Sequence, residues 1–528
     1  MTKLTIDGQE IEVVEGTRLF EACTLARGEP LPHFCYHPDL SIAGACRLCQ
    51  VDVEGMPKLT IACNTMVRDG MVVQTKSKRV NQAVKQVLEM HLINHPVDCP
   101  ICDQAGECGL QDQYMDYGLY ESEVAKKEKV LKRKAKVIGP HVILDQERCV
   151  LCSRCVRFCD EVTGTGELGI FNRGDRAELD VAPGVQLDNN YSLNTVDICP
   201  VGALTSRDFR FRRRVWLLRS TPGVCPGCAT GCNIRIDHEG GRVYRLKPRR
   251  NDAVNGPWTC DIGRMTYKAL HDERRITEPL LRGEGDEQRV VTWRAGWDET
   301  RRHVVPGGVG LVVVNPHQTL EELTLARLLA RRLGDVPVVS AAADEDRSSG
   351  DDLLLDGDRT PNRMALRWLG LEEVGAEELA SRVAAAAGRT VLVYGGDPAA
   401  HEAVAGALRD AATVVYWGVL AGATSRLAHV VLPLSMWAEK DGLWVNKQGR
   451  IQRAQRAIAR PGSAREDWRV LVDLLAAAGE AEVPAGLPAV RRLVGEELEL
   501  GNAVDLNLLP DQGLVPDRFA AAPAGGES

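Results

Sequence analysis

No cysteine follows Cys260 in this chain of 528 residues, although seventeen occur up to that point. A disulfide framework running through a large chain would not stop halfway. The opening MTKLTIDGQE lacks the charged-then-apolar pattern of an export signal. A reducing compartment, with thiols given over to metal, is therefore the expectation. No apolar run reaches the ~18 residues of a membrane-spanning candidate, so any membrane link is expected to pass through partners. No Walker motif and no Gly-rich strand–helix fingerprint occurs, so nucleotide binding is not expected of this chain. The net charge of −8 argues against a general nucleic-acid binder, which is usually basic.

Hydrophobic content of 44% and charged content of 26% are those of an ordinary globular protein. At roughly 100–200 residues per domain, the length predicts about three to five domains. LTIDG and QEIEVVEG predict a hairpin of two alternating strands. A helix over 17–26 is expected to start at Thr17 as N-cap. Val80, Val84, Val87 and Leu88 recur at helical intervals and predict a helix over 77–93. That helix must end before Pro96, which steers the preceding residue away from the α region. KKEKVLKRKAK (126–136) reads as a solvated connector and 161–184 as a β-hairpin. The arginine-rich 203–220 reads as a solvated or ion-paired surface, or as a docking face for an acidic partner. Beyond Cys260, GLVVVNP–TLEELTLARLLARRLG–VPVVSA and TVLVYGG–AAHEAVAGALRDA–TVVYWG read strand–helix–strand, predicting parallel βαβ units. The last dozen residues read as disordered.

The cysteines fall into four groups. Cys35, Cys46, Cys49 and Cys63 form C-x10-C-x2-C-x13-C. Cys99, Cys102 and Cys108 follow His95 as H-x3-C-x2-C-x5-C. Cys149, Cys152 and Cys155 precede a remote Cys199-Pro200, and Cys225, Cys228, Cys232 and Cys260 form C-x2-C-x3-C-x27-C. Two residues between cysteines let one tight loop present two sulfurs and its amides to the same centre. A distant fourth cysteine closes the cage. Thiolates suit iron held among sulfides, and these spacings predict iron–sulfur clusters. The first group departs from the plant-type C-x4-C-x2-C spacing, but Gly44-Ala45 let the backbone crowd a [2Fe–2S] centre. It also lacks the paired C-x2-C knuckles of a zinc ribbon. Three thiols leave the second group's cubane one ligand short, and His95 is expected to fill the place. In the third group Cys199 is the expected closing ligand. That leaves Cys159 as a spare thiol, with a smaller chance that it replaces Cys199.

The order and spacing of the four groups resemble the large iron–sulfur subunit of bacterial respiratory NADH–quinone oxidoreductase, over about residues 1–275. The stretch LAHVVLPLSMWAEKDGLWVNKQGRIQ is similar to a recurring motif of molybdopterin oxidoreductases. The resemblance implies a multidomain α+β and α/β chain. A β-grasp [2Fe–2S] ferredoxin-type domain (1–80) precedes a His(Cys)3 [4Fe–4S] domain (81–122) and a ferredoxin-like [4Fe–4S] domain (138–215). A [4Fe–4S] domain of molybdopterin-enzyme type (218–274), a reduced molybdopterin-oxidoreductase-like domain (275–480) and a tail (481–528) complete it. It implies one [2Fe–2S] and three [4Fe–4S] clusters, carrying electrons from a flavin-bearing, NADH-oxidising partner toward quinone. The expected setting is the peripheral arm of a complex on the cytoplasmic side of the inner membrane. Two rivals stay open: the relay part of an NAD-linked formate dehydrogenase or hydrogenase, and a zinc-stabilised scaffold outside redox chemistry.

Overall fold

The computed structural model describes all residues except 119, 121–123, 284–286, 306–307, 342–349, 502–503 and 521–528. It divides into two units, Met1–Leu218 and Arg219–Ser528.

The first unit opens with the expected hairpin, Thr2–Ile6 paired antiparallel with Gln9–Val13. These strands join a five-stranded sheet through a parallel pairing of Thr2–Ile6 with Met71–Gln74. Helix Leu19–Arg27 lies in the crossover between them and buries Leu19, Phe20, Ala22 and Cys23. Its N-cap is Arg18, not Thr17, whose hydroxyl donates instead to the carbonyl of Val14. The predicted helix over 77–93 runs Lys78–Leu92, and the Ser77 side chain accepts from the Val80 amide at 3.2 Å. The 161–184 stretch holds the hairpin Leu168–Phe171 with Glu178–Val181.

The lysine-rich connector is not simply solvated. Lys129 Nζ donates to the carbonyls of Leu92 and His95, Lys134 pairs with Glu147, and Lys136 with Asp180. Charge alone could not reveal this, because the acceptors come from three separate segments.

The second unit begins with a three-stranded antiparallel sheet, Arg219–Val224, Asn233–Glu239 and Arg242–Pro248. The predicted βαβ units then build an eight-stranded sheet. Its six parallel strands lie in the order Glu372–Glu373, Val338–Ser340, Val309–Val314, Thr390–Tyr394, Thr413–Gly418 and Val430–Pro433. Leu280–Arg282 and Gln288–Val290 extend one edge antiparallel. Successive residues alternate between two cores. Val312, Val314, Leu392, Val415 and Trp417 fill one, while Val313, Val391, Val393 and Val414 fill the other. A sheet covered on both faces must read as a continuous apolar run, as LVVV and TVLVY do.

Residues 481–528 are more than a tail. Helix Leu487–Glu497 buries Val490 and Val494 in the main core, and Arg491 pairs with buried Glu321 at 2.9 Å. Asp517–Phe519 form a short 3-10 turn, with Phe519 stacked on Trp368 at 3.9 Å. Most of the stretch expected as disordered, 521–528, lies outside the described residues.

Candidate metal centres

The first group comes together as two pairs. Cys35 Sγ stands 3.4 Å from Cys46 Sγ, and the Cys63 and Cys49 thiols hydrogen-bond each other. All four are buried. Sharing a proton within each pair splits the acidities, so that Cys35 falls to about 5 while Cys46 is pushed up. The Phe34 amide donates to Cys46 Sγ at 3.4 Å. Gly44, at φ +61°, lies where an added Cβ would meet Ile61 at 3.3 Å, so the glycine is needed for this turn.

In the second group, Cys102 and Cys108 are buried and Cys99 is half-buried. Burial raises Cys108 to about 12. His95 sits on the same loop, and burial lowers it to about 4. Its ring is therefore neutral at ordinary pH, the state that binds metal. Its Nδ1 accepts the Val97 amide at 3.0 Å. Ligation through Nε2 puts the ring proton on Nδ1 and requires this contact to give way.

The third group lines a cavity walled by Cys149, Cys152, Cys155 and Cys199. Burial pushes Cys149 up to about 12, Cys152 to about 11, and Cys155 well above the usual thiol range. Neighbouring thiolates add to the rise at all three, and the Leu151 amide donates to Cys149 Sγ at 3.4 Å. Cys159, one helical turn after Cys155 on helix Arg154–Glu161, is fully buried and hydrogen-bonds the Glu167 carboxylate.

Cys225, Cys228 and Cys232 of the fourth group occupy the loop between the first two strands of the second unit. The Cys225 amide donates to the Cys232 carbonyl at 2.8 Å. Cys260 caps helix Asp261–Met265, its sulfur accepting from the Gly263 amide at 3.3 Å. A Cβ at Gly263 would lie 2.9 Å from Cys225 Sγ and 3.2 Å from Cys260 Sγ, so glycine is what lets two ligand loops meet. Burial and the neighbouring thiolates raise Cys225 and Cys232 strongly.

These donor sets fit iron–sulfur clusters. Buried thiolates repel one another and need a compensating positive charge, which bound iron supplies. Amides aimed at sulfur stabilise the anionic form. Among the described residues, no set of three or more His, Cys, Asp and Glu is arranged to chelate a single metal ion. The four thiols of the third group line one cavity.

The first three groups are not separate. Cys35, Cys46, Cys108 and Cys152 share one hydrophobic core with Val80, Val84 and Leu88, and Cys149 and Cys199 pack against it. Arg148, just before Cys149, holds Asp98, just before Cys99, through two bonds of 3.0 and 2.7 Å. The Gly109 amide donates to the Pro200 carbonyl at 2.9 Å. A Cβ on Gly202 would lie 2.4 Å from Cys102 Sγ. Arg214 donates to the carbonyls of Pro100 and Cys102, and Trp216 covers Gly106. The arginine-rich stretch thus closes the second group's loop rather than merely meeting solvent. Gly202, Arg148, Arg154 and Arg157 escaped the sequence reading. Their one local signal is position, each within three residues of a cysteine.

In the second unit, a cavity of about 430 Å³ opens at the C-terminal ends of the parallel strands, lined by Asn315, Gln318, Gly395, Trp417, Ser435 and Lys440. Lys440 is buried and held by Glu322 at 2.8 Å and Asp467 at 3.1 Å.

Fold and donor sets together define an iron–sulfur protein of ferredoxin-type and molybdopterin-oxidoreductase-type modules. Family models match in the same order. Residues 1–78 match a 2Fe-2S iron-sulfur cluster binding domain, and 85–123 the NADH-ubiquinone oxidoreductase-G iron-sulfur binding region. Residues 139–205 match the ferredoxin-like domain of NADH-quinone oxidoreductase subunit 3. Residues 218–272 match the molybdopterin oxidoreductase Fe4S4 domain, and 359–477 molybdopterin oxidoreductase itself.

The relatives narrow the class and bear out the resemblance drawn from the cysteines. The chain is 43% identical over 304 residues to the G-type subunit of the NADH-quinone oxidoreductase of Rickettsia bellii, covering 58% of this chain and 43% of that one. It is 42% identical over 294 residues to the mitochondrial NADH-ubiquinone oxidoreductase 78 kDa subunit of Candida albicans, covering 55% and 40% respectively. A chain of the solved NAD+-reducing [NiFe]-hydrogenase in its H2-reduced state is 30% identical, with a TM-score of 0.36, covering 40% of this chain and 91% of that one. The chain spans less than half the length of the curated relatives it matches. Among the described residues, no helix is long and apolar enough to cross a membrane.

Proposed function

We propose that this chain is the iron–sulfur relay subunit of an NADH:quinone oxidoreductase. Electrons enter from the flavin of an NADH-oxidising partner and leave toward quinone through other peripheral-arm subunits, the whole assembly coupling the transfer to proton translocation. The complex lies on the cytoplasmic side of the inner membrane, which this subunit meets only through its partners.

One [2Fe–2S] cluster is held by Cys35, Cys46, Cys49 and Cys63, each close pair taking one iron. Three [4Fe–4S] clusters are held by His95, Cys99, Cys102 and Cys108; by Cys149, Cys152, Cys155 and Cys199; and by Cys225, Cys228, Cys232 and Cys260. Bound iron and sulfide supply the one-electron chemistry. The protein supplies ligands, amide donors to sulfur, burial and fixed spacing, the levers that set a cluster's potential. The domain limits read from the sequence serve as the working division up to residue 480, with helix Leu487–Glu497 joined to the domain whose core it enters.

The observation that carries this reading is the single core shared by ligands of the first three groups. Clusters bound there are neighbours, although their ligands are spread over 35–199 of the chain. A scaffold held by isolated zinc sites has no need of such sharing. The fourth group stands in the second unit, where it ties the loop 225–232 to Cys260. We assign it to folding rather than to the wire, since closing a long loop with a clip removes unfolded-state entropy.

The test is anaerobic purification, iron and sulfide analysis, and low-temperature EPR of the reduced protein. The reading expects fourteen irons per chain, two in the first group and four in each of the others. Fifteen of the seventeen cysteines are then used, leaving Cys23 and Cys159 free. A colourless protein carrying stoichiometric zinc would refute it.

A further inference from the structure

We propose that Arg157 is a positioning residue for electron exchange between the first and third groups, its guanidinium bridging their two ligand loops. This rests on the reading that both groups hold clusters.

The bridge is built by one helix, Arg154–Glu161. Cys155 points a ligand into the third group's cavity. Arg154, Arg157 and Glu161 recur at i, i+3 and i+7, one face of a helix, and that face grips the loop of the first group. Arg154 donates to the Tyr36 carbonyl at 2.5 Å and to the Ile198 carbonyl at 3.1 Å, next to Cys35 and Cys199 respectively. Glu161 accepts from the amide and hydroxyl of Ser41. Arg157 donates from Nη1 to the Ser41 carbonyl. Its Nη2 reaches the carbonyls of two ligand residues, Cys35 at 2.5 Å and Cys152 at 3.4 Å.

Arg157 is 9% exposed, and burying a charge is costly unless something offsets it. Its hydrogen bonds go to main-chain carbonyls and to Ser153 Oγ, which are neutral. The anions in its field are the Glu161 carboxylate, which binds the same Ser41, and the sulfurs of Cys35 and Cys152, whose main-chain carbonyls it holds. An apolar side chain or a neutral amide could fill the space. Only a forked cation can hold both loops and favour the added electron on either cluster. The step it serves is outer-sphere. With both clusters bound, one electron would be exchanged between them while no bond forms or breaks and no proton moves, Arg157 holding the two ligand loops in place.

The test uses the assembled complex with Arg157→Gln and Arg157→Lys. EPR-monitored redox titration should show both clusters retained in R157Q. At a fixed potential their oxidised-to-reduced ratios should rise about tenfold, or ~59 mV for a one-electron couple. The second and fourth groups should not move. NADH-to-quinone turnover should fall severalfold, while turnover with a soluble acceptor that draws electrons at the flavin stays constant. R157K keeps the charge and loses the fork, so it should restore the potentials but not the rate. Unmoved potentials with both clusters intact, or a shift confined to one group, would overturn the proposal. If R157Q loses a cluster, R157K decides: both clusters present at full rate overturns the bridge. Wild-type complex lacking either cluster overturns the underlying reading as well.

Discussion

Replacing Gly202 with alanine adds one methyl group at a place where the structure has no room for it. The new Cβ would stand 2.4 Å from Cys102 Sγ, 3.1 Å from Gln104 Cβ and 3.5 Å from Arg148 Cδ. Contacts under ~3.0 Å do not persist in a packed interior, so something must move. None of the neighbours is free to do so. Arg148 is committed to Asp98 by two short bonds, and Arg214 pins the carbonyls on either side of the 100–102 turn. Gly202 has no left-handed backbone, so the penalty is steric rather than conformational. Overpacking of this kind costs about 1–3 kcal/mol. Here it falls on a ligand sulfur, so much of the cost should appear as lost cluster. The expected G202A protein lacks the second group's EPR signal and about four irons, and keeps the first and fourth groups. Iron and sulfide analysis beside EPR reads this directly. Gly406→Ala is the control, because its added Cβ meets nothing within 4 Å and it lies in helix Glu402–Arg409. That variant should be neutral or slightly stabilising. A G202A protein with full iron and an unchanged thermal midpoint would refute the reasoning.

Four other outcomes are expected. Cys159→Ala should keep every cluster, since its thiol is engaged with Glu167, whereas Cys199→Ala should lose one; EPR and iron content distinguish them. His95→Cys should keep the second cluster and lower its potential, because thiolate adds a negative charge that neutral imidazole lacks; an unchanged potential on redox titration would deny ligation. Cys228→Ala should weaken folding or assembly while sparing NADH-to-quinone turnover per assembled complex, and a large drop in that ratio with the other clusters intact would put the fourth group on the path. Stability should fall with acid: burial lowers His33 to about 4, below the ~6.5 of an unfolded histidine, so the unfolded chain takes up its proton first. The contribution is complete above pH ~6.5 and lost progressively down to pH ~4, at most roughly 3 kcal/mol, and thermal midpoints that stay flat from pH 7 to pH 5 would contradict it.

What the sequence disclosed was local. Cysteine spacing marked out the four groups, the recurrence of Val80, Val84, Val87 and Leu88 marked their helix, and apolar runs marked the strands of the parallel sheet. Tertiary contacts overrode weaker signals. Thr17 is a good N-cap residue, yet its hydroxyl turns back to Val14 and the helix begins one residue later. The lysines of 126–136 read as solvated because their acceptors, the carbonyls of Leu92 and His95 and the carboxylates of Glu147 and Asp180, are scattered along the chain. The helix Leu487–Glu497 went unnoticed because its buried face is short and mixed, Val490 and Val494 together with the ion-paired Arg491. The arrangement of the centres was the least legible part. The Arg157 bond to Cys35 spans 122 residues and the Arg214 bond to Cys102 spans 112. No periodicity or spacing rule reaches that far.

The closure of the second group by residues 200–216 also bears on how the protein is made. The loop carrying Cys99, Cys102 and Cys108 leaves the ribosome long before the segment that walls it. Arg214 follows Cys102 by 112 residues, which at ~5–20 residues per second is a delay of roughly 6–20 s. Through that interval the three thiols stand without Gly202 behind Cys102 or the Arg214 clasp above it. The centre that is second along the gene is therefore the last of the first three to be enclosed. Until the arginine-rich segment emerges, that side of the loop stands open.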